Sequence, residues 1–135
     1  MSGRFHIAIH IMTLLHAAGD EVISSDFIAE SVNINPVLIR KEISSLNKFG
    51  LVDSKEGKSG GYMLGKPATE ITLADIYEAV QAKSILGKAR NTPNPACPIG
   101  KQINDHFNFM EHEMIGLITE KLRLQTLAQF NNQFN

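Results

Sequence analysis

The chain has 135 residues, 43% of them hydrophobic, with one cysteine and a formal net charge of −1. That is enough apolar chain to bury one ordinary core without disulfides or metals, and one thiol cannot form an internal disulfide or alone hold zinc or an iron–sulfur cluster. No basic-then-apolar leader is visible, nor any run approaching the ~18 apolar residues of a spanning helix, so a cytoplasmic protein with no membrane partner is expected.

The near-neutral total hides an uneven distribution. Between positions 33 and 66, Arg40, Lys41, Lys48, Lys55, Lys58 and Lys66 face only Glu42, Asp53 and Glu56, a local balance of +3 against −4 elsewhere. Such asymmetry fits a small basic face turned to a polyanion and equally fits a solvated surface, so other features must decide.

Apolar residues recur at Phe5, Ala8, Met12 and Leu15 and again at Ile7, Ile11 and Leu14, which predicts a helix over 5–18 buried on more than one side. Gly19 and Asp20 stop it, and Ser24 or Ser25 offers the N-cap of a short second helix through Glu30. After a turn over 33–35, Asn35-Pro36 opens a third helix running to about position 49, since Asn caps through its side-chain oxygen and Pro loses no needed hydrogen bond at the first helical position. Ile39, Ile43 and Leu46 share one face of that helix, whereas Val37, Arg40, Lys41, Ser44, Ser45 and Lys48 spread over the other.

Gly50 closes the third helix, and Leu51-Val52 and Tyr62-Met63-Leu64 flank the glycine-rich turn 57–61, predicting a two-stranded hairpin. Thr72, with Asp75 in the first turn, caps a helix through Val80. Gly87, Pro93, Asn94, Pro95 and Pro98 then mark an irregular connection.

From about position 99 the residues Ile103, Phe107, Met110, Met114, Leu117 and Leu124 form a heptad seam, broken only at Lys121, and a second stripe runs through Ile115, Ile118 and Leu122. A helix with two apolar stripes calls for two partners. One stripe then packs on its own unit and Ile103, Phe107, Met110, Met114 and Leu117 on a second copy across a two-fold axis; the alternative puts both stripes in one monomeric core. Thr126 with Gln129 predicts a capping box opening a last short helix through Phe130.

The expected architecture is mainly α with a small β-hairpin wing: a winged helix-turn-helix unit over 1–82, a connecting loop over 83–98, and a long dimerisation helix with a C-terminal helix over 99–135. In that layout the third helix fits the major groove of double-stranded DNA, where Arg or Lys reads guanine edges and Ser bonds to bases or phosphates. Ser25, Asn35, Val37, Arg40, Lys41, Ser44 and Lys48 are the candidate contacts of the helices. Lys58, Ser59, Gly60, Gly61 and Tyr62 are those of the wing. Lys58 is the charged side chain of the tip, and the glycines are expected to let the backbone approach the sugar-phosphate chain.

Ala29-Glu30-Ser31-Val32-Asn33 with Asn35-Pro36-Val37, Gly50-Leu51-Val52, Gly60-Gly61-Tyr62, and Ile71-Thr72-Leu73 with Ala79-Val80 together resemble the Rrf2 family of bacterial transcription regulators over nearly the whole chain. The run Asn94-Pro95-Ala96-Cys97-Pro98-Ile99-Gly100-Lys101 is similar to the YwnA-like branch, which lacks a cluster-binding cysteine triplet. The resemblance implies DNA contact through Val37, Arg40, Lys41, Ser44 and the 58–62 turn, and dimerisation through the long helix. It also implies a sequence-specific regulator, expected to be a repressor, bound as a homodimer to an inverted repeat. Many relatives have Arg immediately before the first glycine of the wing; Glu56 stands here, leaving Lys58 to serve. Cluster-binding members carry three cysteines ahead of the long helix, and with Cys97 alone no iron–sulfur cluster or other cofactor is expected.

Cys97 precedes Pro98 at the expected start of the long helix, where the helix dipole favours a reactive thiolate, so it is a candidate sensor. The competing and preferred reading makes it a small buried hydrophobe packing the loop. His6 and His10, one turn apart, have metal-ligand spacing but no third ligand, and with His106 and His112 they are read as structural or interfacial, with no metal expected. Asp26 with Glu30, and Glu111 with Glu113, lack a nucleophile or an anion-stabilising loop and are read as exposed helix charge, so no catalytic residue and no enzyme is expected. An apolar pocket between the units offers a ligand a place, though no residue identifies a small-molecule effector. The alternative to a regulator is a winged-helix protein-interaction module, which Glu56 and the near-neutral charge permit.

Overall fold

The computed structural model describes residues 3–81, 84–87 and 91–134. Six α-helices and one hairpin follow in chain order: α1 (Arg4–Ala17), α2 (Ser25–Val32), α3 (Pro36–Lys48), β1 (Val52–Lys55), β2 (Gly61–Leu64), α4 (Leu73–Val80), α5 (Pro98–Arg123) and α6 (Leu127–Asn131). A short 3-10 turn, Ala68–Glu70, precedes α4. The expected boundary at 82–83 lies outside the described residues.

The local signals act as anticipated at most ends. Ser24 Oγ accepts from the Phe27 N–H at 3.1 Å, and Asn35 Oδ1 accepts from the Val37 N–H at 2.8 Å, so α2 and α3 each begin on a side-chain cap. Asn33 takes φ 64°, the left-handed residue that separates the two helices. Thr72 with Asp75 and Thr126 with Gln129 form reciprocal capping boxes.

α1 is the central pillar. Its Ala8, Ile11, Met12 and Leu15 are buried, and around them pack Ile28 of α2, Ile39, Ile43 and Leu46 of α3, and Ile76 and Val80 of α4. Leu51 and Val52 carry the core into the root of the hairpin, whose register pairs Val52 with Leu64 and Ser54 with Tyr62. Each fully buried aliphatic side chain of this kind contributes about 1.5–3 kcal/mol of transfer free energy.

The chain end returns to this core. Leu127 of α6 is fully buried, its N–H donates to the Ile71 carbonyl at 2.7 Å, and the Leu73 N–H donates to the Gln125 carbonyl at 2.9 Å. The sequence groups α6 with the long helix; its packing joins it to the unit built on α1.

α5 packs on α4 along one side only. Ile115 and Leu122 are half-buried, and Ile118 is 37% exposed. The seam residues Ile103, Met110, Met114 and Leu117 are exposed, Leu117 by 64%, with Phe107 half-buried among them. Phe109, outside the predicted seam, adds another exposed ring.

Glu111 corrects a sequence expectation. It is buried, not exposed helix charge: its carboxylate accepts from Ser84 Oγ at 3.0 Å and from the Leu86 N–H at 3.3 Å, pinning the start of the connection to α5. Sequence spacing places a carboxylate on a helix face but says nothing of which loop will cover it.

Candidate nucleic-acid interface

α2 and α3 meet across the Asn33 turn, and the hairpin rises beside α3, so α3 and the wing enclose an open groove of about 540 Å³. Arg40, Ser44 and Asn47 line it from α3, with Ser25 at the start of α2. Ser54, Lys55 and Glu56 line it from the first wing strand and its turn, and Gly60, Gly61 and Tyr62 from the second. Of the residues expected at the interface, Ser25, Arg40, Ser44, Gly60, Gly61 and Tyr62 are therefore brought together. Val37, Lys41 and Lys48 project from the exposed side of α3, and Lys58 and Ser59 stand exposed at the wing tip. The Asn35 side-chain oxygen is engaged as the helix cap.

Two contacts fix this geometry. Asn47 Nδ2 donates to the Val52 carbonyl at 2.8 Å, locking the end of α3 to the root of the wing. Arg40 reaches Ser25 Oγ through Nη1 at 3.4 Å, a long contact that leaves most of the guanidinium's donors unused.

The electrostatics are more basic than the count of charges suggests. Arg4 Nε donates to Glu42 Oε1 at 2.9 Å, and Glu42 is 5% exposed, so this carboxylate is turned inward and neutralised by a residue from α1. Arg40, Lys41, Lys48, Lys55, Lys58 and Lys66 are all exposed, against exposed Asp53 and Glu56. Sequence reasoning missed this inward turn; it counted Lys55 in the basic stretch without placing it at the interface, and it passed over Asn47 and the exposed apolar Phe27 and Leu38. The burial of Ile39 and Ile43 beside Glu42 was the available signal, since Glu42 adjoins that stripe in the helical projection.

Gly60 and Gly61 of the wing each lie against the chain's own backbone. A Cβ on Gly60 would lie 2.2 Å from the Lys55 carbonyl oxygen, and one on Gly61 would lie 2.6 Å from the Ile23 carbonyl oxygen. The second approach arises because Ile23 pairs with Tyr62 as a one-residue third strand, exchanging N–H···O bonds of 3.0 and 2.8 Å.

Cys97 is exposed, which overturns the preferred sequence reading of a buried packing residue. It occupies the N-cap of α5, and the backbone N–H groups of Gly100 and then Ile99 lie near enough to lower its thiol pKa, although neither makes a full cap hydrogen bond to the sulfur. His10 Nε2 lies 3.1 Å from Ser31 Oγ, joining α1 to α2.

Comparison with known proteins adds an independent line. The sequence model of the family described as Rrf2, iron-dependent transcriptional regulator, matches residues 1–133. YwnA of Bacillus subtilis, named as an HTH-type transcriptional regulator, is 41% identical over 105 residues, covering 78% of this chain and 77% of its own. A transcriptional regulator of Lactobacillus plantarum superposes with a TM-score of 0.81 at 27% identity, over 98% of this chain and 89% of that one. CymR, the global cysteine regulator of B. subtilis, shares the fold with a TM-score of 0.72 at 24% identity, over 100% of this chain and 98% of its own.

The iron in that family description does not fit the side chains present. Among the described residues no three His, Cys, Asp or Glu side chains come together as a metal site, and the chain's one cysteine is exposed at a helix cap. Among the same residues no helix is long and apolar enough to cross a membrane.

Proposed function

We propose, from the premise that this chain belongs to the Rrf2 family of transcriptional regulators and is a regulator rather than an enzyme, that it binds a specific inverted-repeat operator as a homodimer and represses the promoter there. The observation that carries the reading is the groove between α3 and the wing, lined by Arg40, Ser44 and Lys55 and flanked by further exposed cations. In it α3 enters the major groove, with Arg40 toward base edges and Val37 and Ser44 beside it, while Lys41 and Lys48 meet phosphates. Lys58 and the backbone of the wing tip reach the adjacent strand.

The exposed seam of α5 supplies the dimer face, and two copies then set two α3 helices about one helical turn of DNA apart, roughly 34 Å. The setting is the cytoplasm, where the DNA is. No cofactor is required for these contacts.

Binding of the purified chain to its own upstream intergenic DNA across a salt series, beside a scrambled duplex, tests the reading. Tight, salt-sensitive, selective binding at two protomers per site supports it. Binding that ignores sequence, or none at any salt, refutes it and favours the second reading, a protein-interaction module. The observation on that side is Glu56, whose place in the groove wall sets a carboxylate where a phosphate would come.

A further inference from the structure

The outward line of α3 holds one residue that neither the core nor charge explains. Val37, Lys41, Ser44 and Lys48 recur at the helical period on the side opposite the buried Ile39, Ile43 and Leu46. Three of the four are polar. Val37 is 61% exposed and takes no part in the core. An exposed aliphatic residue is ordinary on a protein surface, but this one lies in the first turn of α3, and in a helix-turn-helix the N-terminal residues of that helix are the ones that meet base edges. Leu38, also exposed, sits instead on the flank with Ser45, which Arg4 of α1 reaches.

Val37 offers a base no hydrogen-bond partner. Its side chain ends in methyl groups, its N–H is already donated to Asn35 Oδ1 at 2.8 Å, and Pro36 before it has no N–H to give. A guanine, adenine or cytosine edge pressed against it would lose water from a polar group and gain nothing in return. Thymine alone among the bases presents an apolar group in the major groove, its C5 methyl. Contact between that methyl and Val37 buries apolar surface on both sides and orphans no polar atom.

We propose that Val37 is a specificity-determining residue that reads one thymine in each half of the operator through the C5 methyl group. This role rests on the DNA-binding reading above and divides recognition between two neighbours on α3. Arg40, one turn further along and toward the wing, supplies the hydrogen-bonded part, and Val37 supplies the apolar part. The discrimination works in both directions: the methyl of thymine is attracted, and every other base at that place is left with an unpaired polar edge.

The test uses the full chain and the duplex it selects from its upstream DNA, with deoxyuridine put in place of each thymine in turn at matching positions of both halves. Deoxyuridine pairs as thymine does and lacks only the methyl. At one thymine per half-site, wild-type affinity should fall about fourfold for each methyl removed. Val37→Ala, a change at an exposed helical position that favours the helix, should bind the unmodified duplex more weakly than wild type and show no further loss with deoxyuridine at that place. A wild-type chain that selects its duplex yet is indifferent to deoxyuridine at every thymine overturns the role of Val37 and leaves the DNA-binding reading standing. Sensitivity that persists undiminished in Val37→Ala overturns it as well, since the methyl then acts through another residue or through the stiffness of the duplex. A chain that selects no duplex at all refutes the DNA-binding reading, and the role of Val37 falls with it.

Discussion

Arg4 and Glu42 join α1 to α3 through an ion pair of 2.9 Å, with a second hydrogen bond of 3.1 Å to the other carboxylate oxygen. Arg4 also reaches Ser45 Oγ through Nη2 at 3.3 Å. The pair is lopsided, since the arginine side chain is 34% exposed and the glutamate 7%. Arg4→Ala leaves a buried carboxylate without its cation, whereas replacing both residues leaves no orphan. We expect Arg4→Ala to lower stability by about 1–3 kcal/mol, less than a fully buried pair because the arginine is partly solvated, and Arg4→Met with Glu42→Leu to recover most of it. Urea denaturation of wild type, Arg4→Met, Glu42→Leu and the double variant, with Arg4→Ala beside them, measures this. Additive losses would mean that the pair contributes nothing beyond its members.

Gly61→Ala tests the one-residue strand at Ile23. The added methyl would sit 2.6 Å from the Ile23 carbonyl oxygen, so either the Ile23–Tyr62 pairing opens or the wing swings away from α2. Overpacking of this kind costs about 1–3 kcal/mol. The loss should appear as faster amide exchange at Ile23 and Tyr62, with the amides of α1 unaffected. Unchanged exchange at those two amides would show that the wing does not depend on the bridge.

These two contacts mark where the sequence stops being legible. Helix ends could be read because caps are local: Ser24, Asn35, Thr72 and Thr126 each act within three residues of themselves. The α3 face could be read because helical period separates Ile39, Ile43 and Leu46 from Arg40, Lys41 and Ser44. Ile23 pairing with Tyr62, Arg4 pairing with Glu42, and Glu111 under Ser84 each join residues far apart in the chain, and no period or cap announces them. Glycine is a case of the same kind: Gly60 and Gly61 announce a close approach, and only the tertiary structure shows that the chain's own backbone makes one.

Arg40 and Lys58 are assigned different work at the DNA, and their alanine variants separate the two kinds of contact. Arg40 lines the groove between helix and wing, whereas Lys58 stands at the tip. Arg40→Ala should relax preference at one base pair by about 1–3 kcal/mol, and Lys58→Ala should weaken all duplexes alike and reduce the salt slope by about one unit. Competition binding with single-base operator variants at several salt concentrations reads both. An equal loss on every sequence from Arg40→Ala would contradict its assignment to base edges.

Leu117 is 64% exposed at the centre of the α5 seam, between half-exposed Met114 and Leu124 at 78%. A carboxylate introduced there would be desolvated and face its own copy in a two-fold interface, so Leu117→Glu is expected to give monomers in sedimentation equilibrium. Stability of the monomeric unit should change little, because Leu117 lies outside the core. Selective duplex binding should fall far more than non-specific binding, since one α3 reads only half an inverted repeat. A Leu117→Glu chain that remains dimeric would place the interface elsewhere.

Cys97 carries a pH prediction whose sign follows from its surroundings. The Gly100 and Ile99 N–H groups at the start of α5 favour the charged thiolate, so the folded thiol ionises at lower pH than an ordinary one. Asn94 maintains that geometry, its carbonyl accepting from the Cys97 N–H at 3.1 Å and its side chain from the Ala96 N–H at 2.9 Å. Unfolding in urea removes the helix start and returns the thiol to its usual range. The pH midpoint of iodoacetamide alkylation should therefore lie lower for the folded chain than for the unfolded one, and Cys97→Ser should abolish the reaction in both states. Coincident midpoints would show that the helix start does not act on the sulfur. If the thiol also carries a signal, wild-type duplex affinity must differ between reducing and oxidising conditions while that of Cys97→Ser does not. With no second cysteine in the chain, the oxidised form has to be an intermolecular disulfide, an adduct with a small thiol, or an oxygenated sulfur such as the sulfenic acid, which mass spectrometry distinguishes.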